Sequence, residues 1–265
     1  MTTMALARSR AYLAPQRRAI IGRAITASLA GALPLPFLDD WAIGAILGRG
    51  YRKIAAAHGV DLDDEAVKAL VFGEQRPPSL ADLAASGIAV RLASRAARRM
   101  MLVLTAVNRA RSAARTFTTM TLFDHYCARL HTGAALDGPT ALALRGEIGK
   151  ALENTPGALA VHPFRRGALA AARATLRAPL ELADLATRGA VRKLLARRSE
   201  VTEAEAVDDL DAAVEHALAA KTGFMSRAVA AVEIQLSAEA NPFLDDAIEN
   251  LDRRWRARAA ARQPR

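Results

Sequence analysis

One cysteine, Cys127, stands among 265 residues. A lone thiol excludes an internal disulfide and fits a reducing compartment, so a cytoplasmic protein is expected. Aromatic residues make up 5% of the chain against 52% hydrophobic residues overall, so alanine, leucine, valine and isoleucine must build the interior. Small-residue, closely packed helices are the expected result. Long apolar runs are absent too. The longest charge-free stretch covers residues 24–38, which is 15 residues with Pro34 and Pro36 inside it, short of the roughly 20 that a spanning helix needs. No transmembrane helix is predicted. The first 38 residues carry five arginines and no acid, but Arg23 and the two prolines interrupt any leader-like apolar core, and the segment reads as structural helix. No GxxxxGK[ST], no GxGxxG after a strand, no HExxH and no GxSxG occurs, which removes the familiar phosphate-loop, dinucleotide, zinc-protease and hydrolase signatures.

What is present is helix, clearly punctuated. A first helix is predicted from about Leu13 to Leu33 and is stopped by Leu-Pro-Leu-Pro, since residues before proline avoid the α region. A second begins near Pro36, with Asp39 and Asp40 in its opening turns, and ends at His58-Gly59. An aspartate of Val-Asp-Leu-Asp-Asp, 60–64, caps a short helix that stops at Gly73, and Ser79 opens another. Further helices are read from Ile88 to Val107, Ala113 to His131, and near 139–153, 164–177, 179–197, 202–220, 224–238 and 242–260. No alternating β pattern appears. The fold class is all-α, a bundle of about nine to ten helices with an N-terminal helical hairpin. One domain over 1–265 is the natural count, and a division into 1–132 and 133–265 is the alternative. The letters PFLDD occur twice, at 36–40 and 242–246, and both copies read as one helix-start device, with Asn241 as cap of the second. Gly44 and Gly48 are spaced to press the second helix against the first.

Charge is unevenly laid down. The chain carries net +10, with 32 arginines against five lysines. Residues 83–198 hold 19 basic and 6 acidic groups, 199–252 hold 2 and 13, and 253–265 hold 6 and none. Either the acidic segment neutralises the basic body within the fold, or a basic surface is left for an anionic partner. The helices around Arg91, Arg95 and Arg98 and the tail with Arg253, Arg254, Trp255 and Arg256 are the candidates for such a surface. Arginine-rich helices also raise nucleic-acid binding. No reading helix, RNA-binding signature or aromatic stacking set accompanies them, so it ranks third.

The most chemical stretch is FDHYCARLH, 123–131. Asp124, Cys127 and His131 fall at i, i+3 and i+7 on a helix, one stripe that would present an acid, a thiol and an imidazole to a metal or a substrate. Met120, Phe123, Cys127 and Leu130 form a competing apolar stripe, which makes Cys127 a core residue. His58, His162 and His216 are scattered singly, without a paired cysteine. An enzyme or metal protein built on Asp124, Cys127 and His131 is therefore the second reading, and no cofactor or metal is assigned.

The hairpin 24–48 is apolar except for Asp39 and Asp40, with Trp41 beside them and arginines flanking at Arg23 and Arg49. The order of a small-residue helix, a Leu-Pro-x-Pro break, an aspartate and then Ile54-Ala55-Ala56-Ala57-His58-Gly59-Val60-Asp61 resembles two bacterial all-helical groups. One is the EcsC-type family. The other is the small domain of unknown function that accompanies bacterial GTPases at the inner membrane. His58 stands where tyrosine is usual, and Gly48-Arg49-Gly50 replaces the second group's glutamine-methionine element. The resemblance spans roughly 15–130 and implies an all-helical, membrane-peripheral accessory protein, with no catalytic residue to carry over. The leading expectation is accordingly a non-enzymatic, cytoplasmic protein. It would dock at the inner membrane surface or on a membrane-associated partner such as a GTPase, and self-association is compatible with it.

Overall fold

The computed structural model describes residues 10–30, 38–75, 95–155, 157–158, 162–165, 222–237 and 244–262. Of the interpretable residues 83% are helical and 3% are strand, so the chain is mostly α as its punctuation predicts. After a single 3-10 turn at Ala11–Leu13 come α1 (Ala14–Ala30) and α2 (Leu38–Ala57), packed on each other. The Leu-Pro-Leu-Pro break between them, with Pro34 and Pro36, lies outside the described residues. So do Arg91, Ser79, His216, Asn241 and the helices expected at 179–197 and 202–220. Asp39 and Asp40 fall in the first turn of α2, as expected.

Helix α3 (Asp64–Phe72) and helix α5 (Gly138–Glu153) begin in the same way. Asp63 accepts the Ala66 N–H at 2.5 Å and Asp137 accepts the Thr140 N–H at 2.8 Å, with Pro139 in the first turn of α5. Each cap satisfies a donor that has no partner inside its own helix. Just before each cap lies a two-residue strand, β1 (Asp61–Leu62) and β2 (Ala135–Leu136), and the two pair in parallel, Asp61 opposite Ala135 and Leu62 opposite Leu136. This bridge departs from the purely helical expectation, because two residues are too short to show an alternating pattern. Its effect is to start α3 and α5 side by side, and the two helices pack along each other.

Two further expectations are corrected. The helices read separately over 88–107 and 113–131 are, where described, one helix α4 (Arg95–Arg129) of 35 residues. Asn108, Arg109, Ala110, Arg111 and Ser112 include neither glycine nor proline, so nothing breaks the backbone between them. The glycines of α2 also face another neighbour. A Cβ at Gly44 would meet Phe72 at 2.5 Å and one at Gly48 would meet Val67 at 3.1 Å, so this pair admits α3 rather than α1. Gly50 is the residue that admits α1 and α4, since a Cβ there would strike Arg23 and Met120.

Helix α6 (Thr222–Ser237) lies against α1, and α7 (Asp245–Arg262) lies against α4 and α5. Helix α7 starts three residues after Pro242, at Asp245, with Leu244 in a positive-φ conformation (φ 57°) just before it. The second PFLDD thus places its aspartates, and not its proline, in the first helical turn. Along α4 every residue from Met120 to Cys127 is buried. Around it lie Ile20, Ile21 and Ala24 of α1, Tyr51, Ile54 and Ala55 of α2, and Ile248 and Leu251 of α7. Alanines line this core as composition predicts. The few aromatics are nonetheless concentrated there, with Tyr51 edge-on to Phe123 at 5.0 Å and Phe117 at 5.4 Å from Phe164. Among the hairpin's described side chains Ala24, Ile25, Ala27 and Ile46 are buried.

Gly73 ends α3 at φ 69°, ψ −129°, where its N–H donates to the Ala69 carbonyl. Side chains disfavour that region strongly, and a Cβ would lie 3.0 Å from Arg145 Nε. Gly73→Ala is expected to lower unfolding free energy by about 1–3 kcal/mol in a urea titration.

Candidate functional site

Asp124, His125 and Tyr126 are consecutive on α4, so they point in three directions roughly 100° apart. Each meets a different part of the chain. Asp124 Oδ1 accepts from His58 Nε2 at 2.6 Å, just past the end of α2. His125 Nε2 lies 2.6 Å from Asp252 Oδ1 on α7, and its Nδ1 lies 2.5 Å from the Tyr12 hydroxyl. A carboxylate needs a donor, so Nε2 carries the proton and donates to Asp252 while Nδ1 accepts from the Tyr12 O–H. Tyr126 stacks edge-on against Trp255 at 5.0 Å, and its hydroxyl reaches His131 Nδ1 at 3.2 Å.

These groups are shielded from water, and their proton affinities shift accordingly. Burial pushes the Asp124 carboxyl above the ordinary carboxylate range, against the opposing pull of His58. Its Oδ2 is buried without a hydrogen-bond partner. Burial lowers the His125 imidazole, an effect that Asp252 opposes and that Arg10 and Arg129 reinforce. The Tyr12 hydroxyl is raised by burial although Arg10 pulls the other way, and the Arg129 guanidinium lies 4.7 Å from the Tyr12 ring centre. Tyr12, His125 and Asp252 thus form a hydrogen-bonded relay whose terminal hydroxyl is not activated. It ties the N-terminal segment and α7 to the C-terminal part of α4.

The stripe predicted from spacing is taken apart by these partners. Asp124 is committed to His58. The Cys127 thiol is buried and raised well above its ordinary value by that burial, with Asp124 adding to it, which is the behaviour of a core cysteine rather than a nucleophile. His131 sits on Tyr126, its imidazole lowered by burial. Among the described residues no group of three or more His, Cys, Asp or Glu is placed to hold a metal ion. His125 and Asp252 were missed because spacing arguments follow one helical stripe. Three different polar types in a row, Asp-His-Tyr inside an apolar segment, is the signal that would have found them.

The basic tail divides. Arg254 and Trp255 turn inward: Arg254 Nε donates to Glu147 Oε2 at 2.7 Å, and Trp255 packs on Tyr126. Glu147 is buried, with Lys150 and Arg258 at 3.7 and 3.8 Å. Arg253 and Arg256 face outward, the latter with 74% of its side chain exposed. Gly44 and Gly48 are packing positions, and the side chains of Asp39, Asp40, Trp41, Arg95 and Arg98 lie outside those described. No family model, curated protein or solved structure matches the chain.

Tyr12→Phe leaves the His125 Nδ1 acceptor without its donor and is expected to cost about 1–3 kcal/mol in chemical denaturation. Equal stability of variant and parent would show that the bond holds nothing. The relay also sets a pH dependence. With the folded-state proton affinity of His125 below the ordinary 6.5, the unfolded chain binds more protons on the acid side of that value, so stability falls as pH drops below it. His131 acts in the same direction. Melting temperature is expected to fall as pH drops below that value, and to fall less steeply in His125→Gln, which begins less stable.

Proposed function

We propose that the protein is a non-enzymatic helical accessory or scaffold protein that docks through its exposed arginines on an anionic membrane surface or on a partner held there. The observation that carries this is the division of the arginines into two sets. Arg10, Arg18, Arg52, Arg254 and Arg258 are paired with acids of the fold, to Asp245, Glu233, Asp64 and Glu147. Arg111, Arg115 and Arg129 on α4 and Arg253 on α7 are exposed with no acid among the described residues paired to them, and the exposed Arg256 has only a 3.8 Å contact with Asp252 of its own helix. In a chain of net +10 the second set gives an anionic surface two basic helical stretches to meet.

No described helix is long and apolar enough to cross a membrane, and the hairpin's described apolar side chains Ala24, Ile25, Ala27 and Ile46 are buried. Docking is thus peripheral and electrostatic, with the hairpin serving as framework. It agrees with what the resemblance of residues 15–130 to the EcsC-type and GTPase-accompanying groups implies. Among the polar groups, the titratable cluster at Asp124, His125 and Tyr126 supports a structural role more than a reacting one.

Flotation with anionic and with neutral vesicles tests the proposal. The protein is expected to float with the anionic vesicles alone and to return to the soluble fraction at high salt. Arg253→Gln with Arg256→Gln is expected to weaken partitioning roughly 25-fold, from about 1 kcal/mol per basic residue at the surface. Recovery in the soluble fraction with both vesicle types at low salt would overturn it.

A further inference from the structure

The parallel starts of α3 and α5 leave a cleft of about 660 Å³ between the β1–β2 bridge, the C-terminal end of α4 and the second half of α7. That volume lies within the roughly 300–1,000 Å³ of small-molecule sites. Its wall is aromatic and apolar, formed by Trp255, Tyr126, Leu130 and Leu136. Its polar rim is acidic. Asp61, Asp63 and Asp137 border it, and among the described lining residues the basic side chains are Arg258 and His131, the imidazole being lowered by burial. That arginine is drawn toward Glu147 at 3.8 Å. The two helix N-termini at the rim would ordinarily favour an anion, but each already carries its own capping aspartate, Asp63 or Asp137. The C-terminal end of the long α4, at Arg129, also faces this side of the molecule and opposes an anion there through its dipole.

We infer that this cleft binds a small organic cation, an ammonium or guanidinium head on a short apolar stem. The carboxylates meet the head and the Trp255–Tyr126 wall meets the stem and the charge. An acidic recess on a chain of net +10 selects against the anions that the rest of the surface attracts. This site is distinct from the exposed arginines and stands or falls without them.

Trp255 supplies its own reporter, because the chain has two tryptophans and Trp41→Phe leaves Trp255 alone to emit. Butylamine and agmatine are titrated into that protein, with butanol and butyrate as neutral and anionic controls on a similar stem. Saturable change in Trp255 emission with the amines, absent with both controls, is expected. Asp61→Asn should weaken amine binding about tenfold, as befits one lost charge-assisted contact. Asp61 is exposed and holds the bridge region through its backbone N–H on the Ala134 carbonyl, so the asparagine variant keeps the fold, checked by an unchanged melting temperature. Capped arginine amide, added as a third cation, separates a free amine from an arginine side chain of a peptide: tighter binding than agmatine identifies the peptide source and weaker binding the free one. No saturable change with any cation, an equal response to butanol, or unaltered affinity in Asp61→Asn would each overturn the inference.

Discussion

The interaction on which the rest of the molecule depends is the placement of Asp124, His125 and Tyr126 in the buried C-terminal part of α4, where every residue from Met120 to Cys127 is enclosed. An apolar residue on such a helix is satisfied by any apolar neighbour. A buried carboxylate, imidazole or phenol demands a partner of stated chemistry at hydrogen-bond distance, and leaving it unmade costs more than making it gains. His58, Tyr12 with Asp252, and His131 supply those partners from the end of α2, from the two ends of the chain and from the end of α4 itself. Dispersion and apolar burial supply most of the driving force, but they would tolerate several registers of alanine-rich helices. The polar trio narrows the choice.

Much of the fold was readable in the sequence, and the limits have physical reasons. Gly73 and Pro139 mark helix ends through local chemistry where they are expected, and the aspartate cap expected before α3 is Asp63. The continuity of α4 was misread because an apolar stretch and an arginine-rich stretch differ in surroundings, not in backbone preference. The partner of Gly44 and Gly48 was misread for a related reason. A glycine announces that something comes close and says nothing about which element does, and Phe72 of α3 occupies the space. Asp124 was singled out for the neighbours that its stripe offers, whereas its bond runs to a histidine 66 positions away. Long-range pairing of that kind leaves no trace in periodicity.

Low aromatic content suggested an interior of alanine and aliphatic residues, and alanines do permit the close approach of α1, α2 and α4. The sparse aromatics pair with one another between elements: Phe123 against Tyr51, Phe117 against Phe164, and Tyr126 against Trp255. Trp255 was grouped with the basic tail as a surface residue. On α7 it falls three residues after Asp252, which places both on one face of the helix, and that face is held against α4.

The charge asymmetry of the chain resolves along the same line. Acids of the 199–252 segment pair with the N-terminal segment across more than 200 residues, Asp245 with Arg10 and Glu233 with Arg18. These two pairs are not equivalent. The Arg18 side chain is 73% exposed, and a pair so hydrated contributes little. Arg10 and Asp245 are 12% and 17% exposed, so their attraction is less screened, but they were also desolvated to reach it. Neutralisation alone therefore does not explain why the chain ends meet. The His125 relay does, because it asks for Tyr12 and Asp252 at fixed distances, and once they are in place Arg10 and Asp245 are brought close as a result. Among the described residues of the acidic segment, Asp245 is placed against Arg10 by the same packing that seats Asp252 on His125. Arg111, Arg115 and Arg129 of α4 are paired with no acid among the described residues and keep their charge at the surface, which is where the described part of α4 is basic.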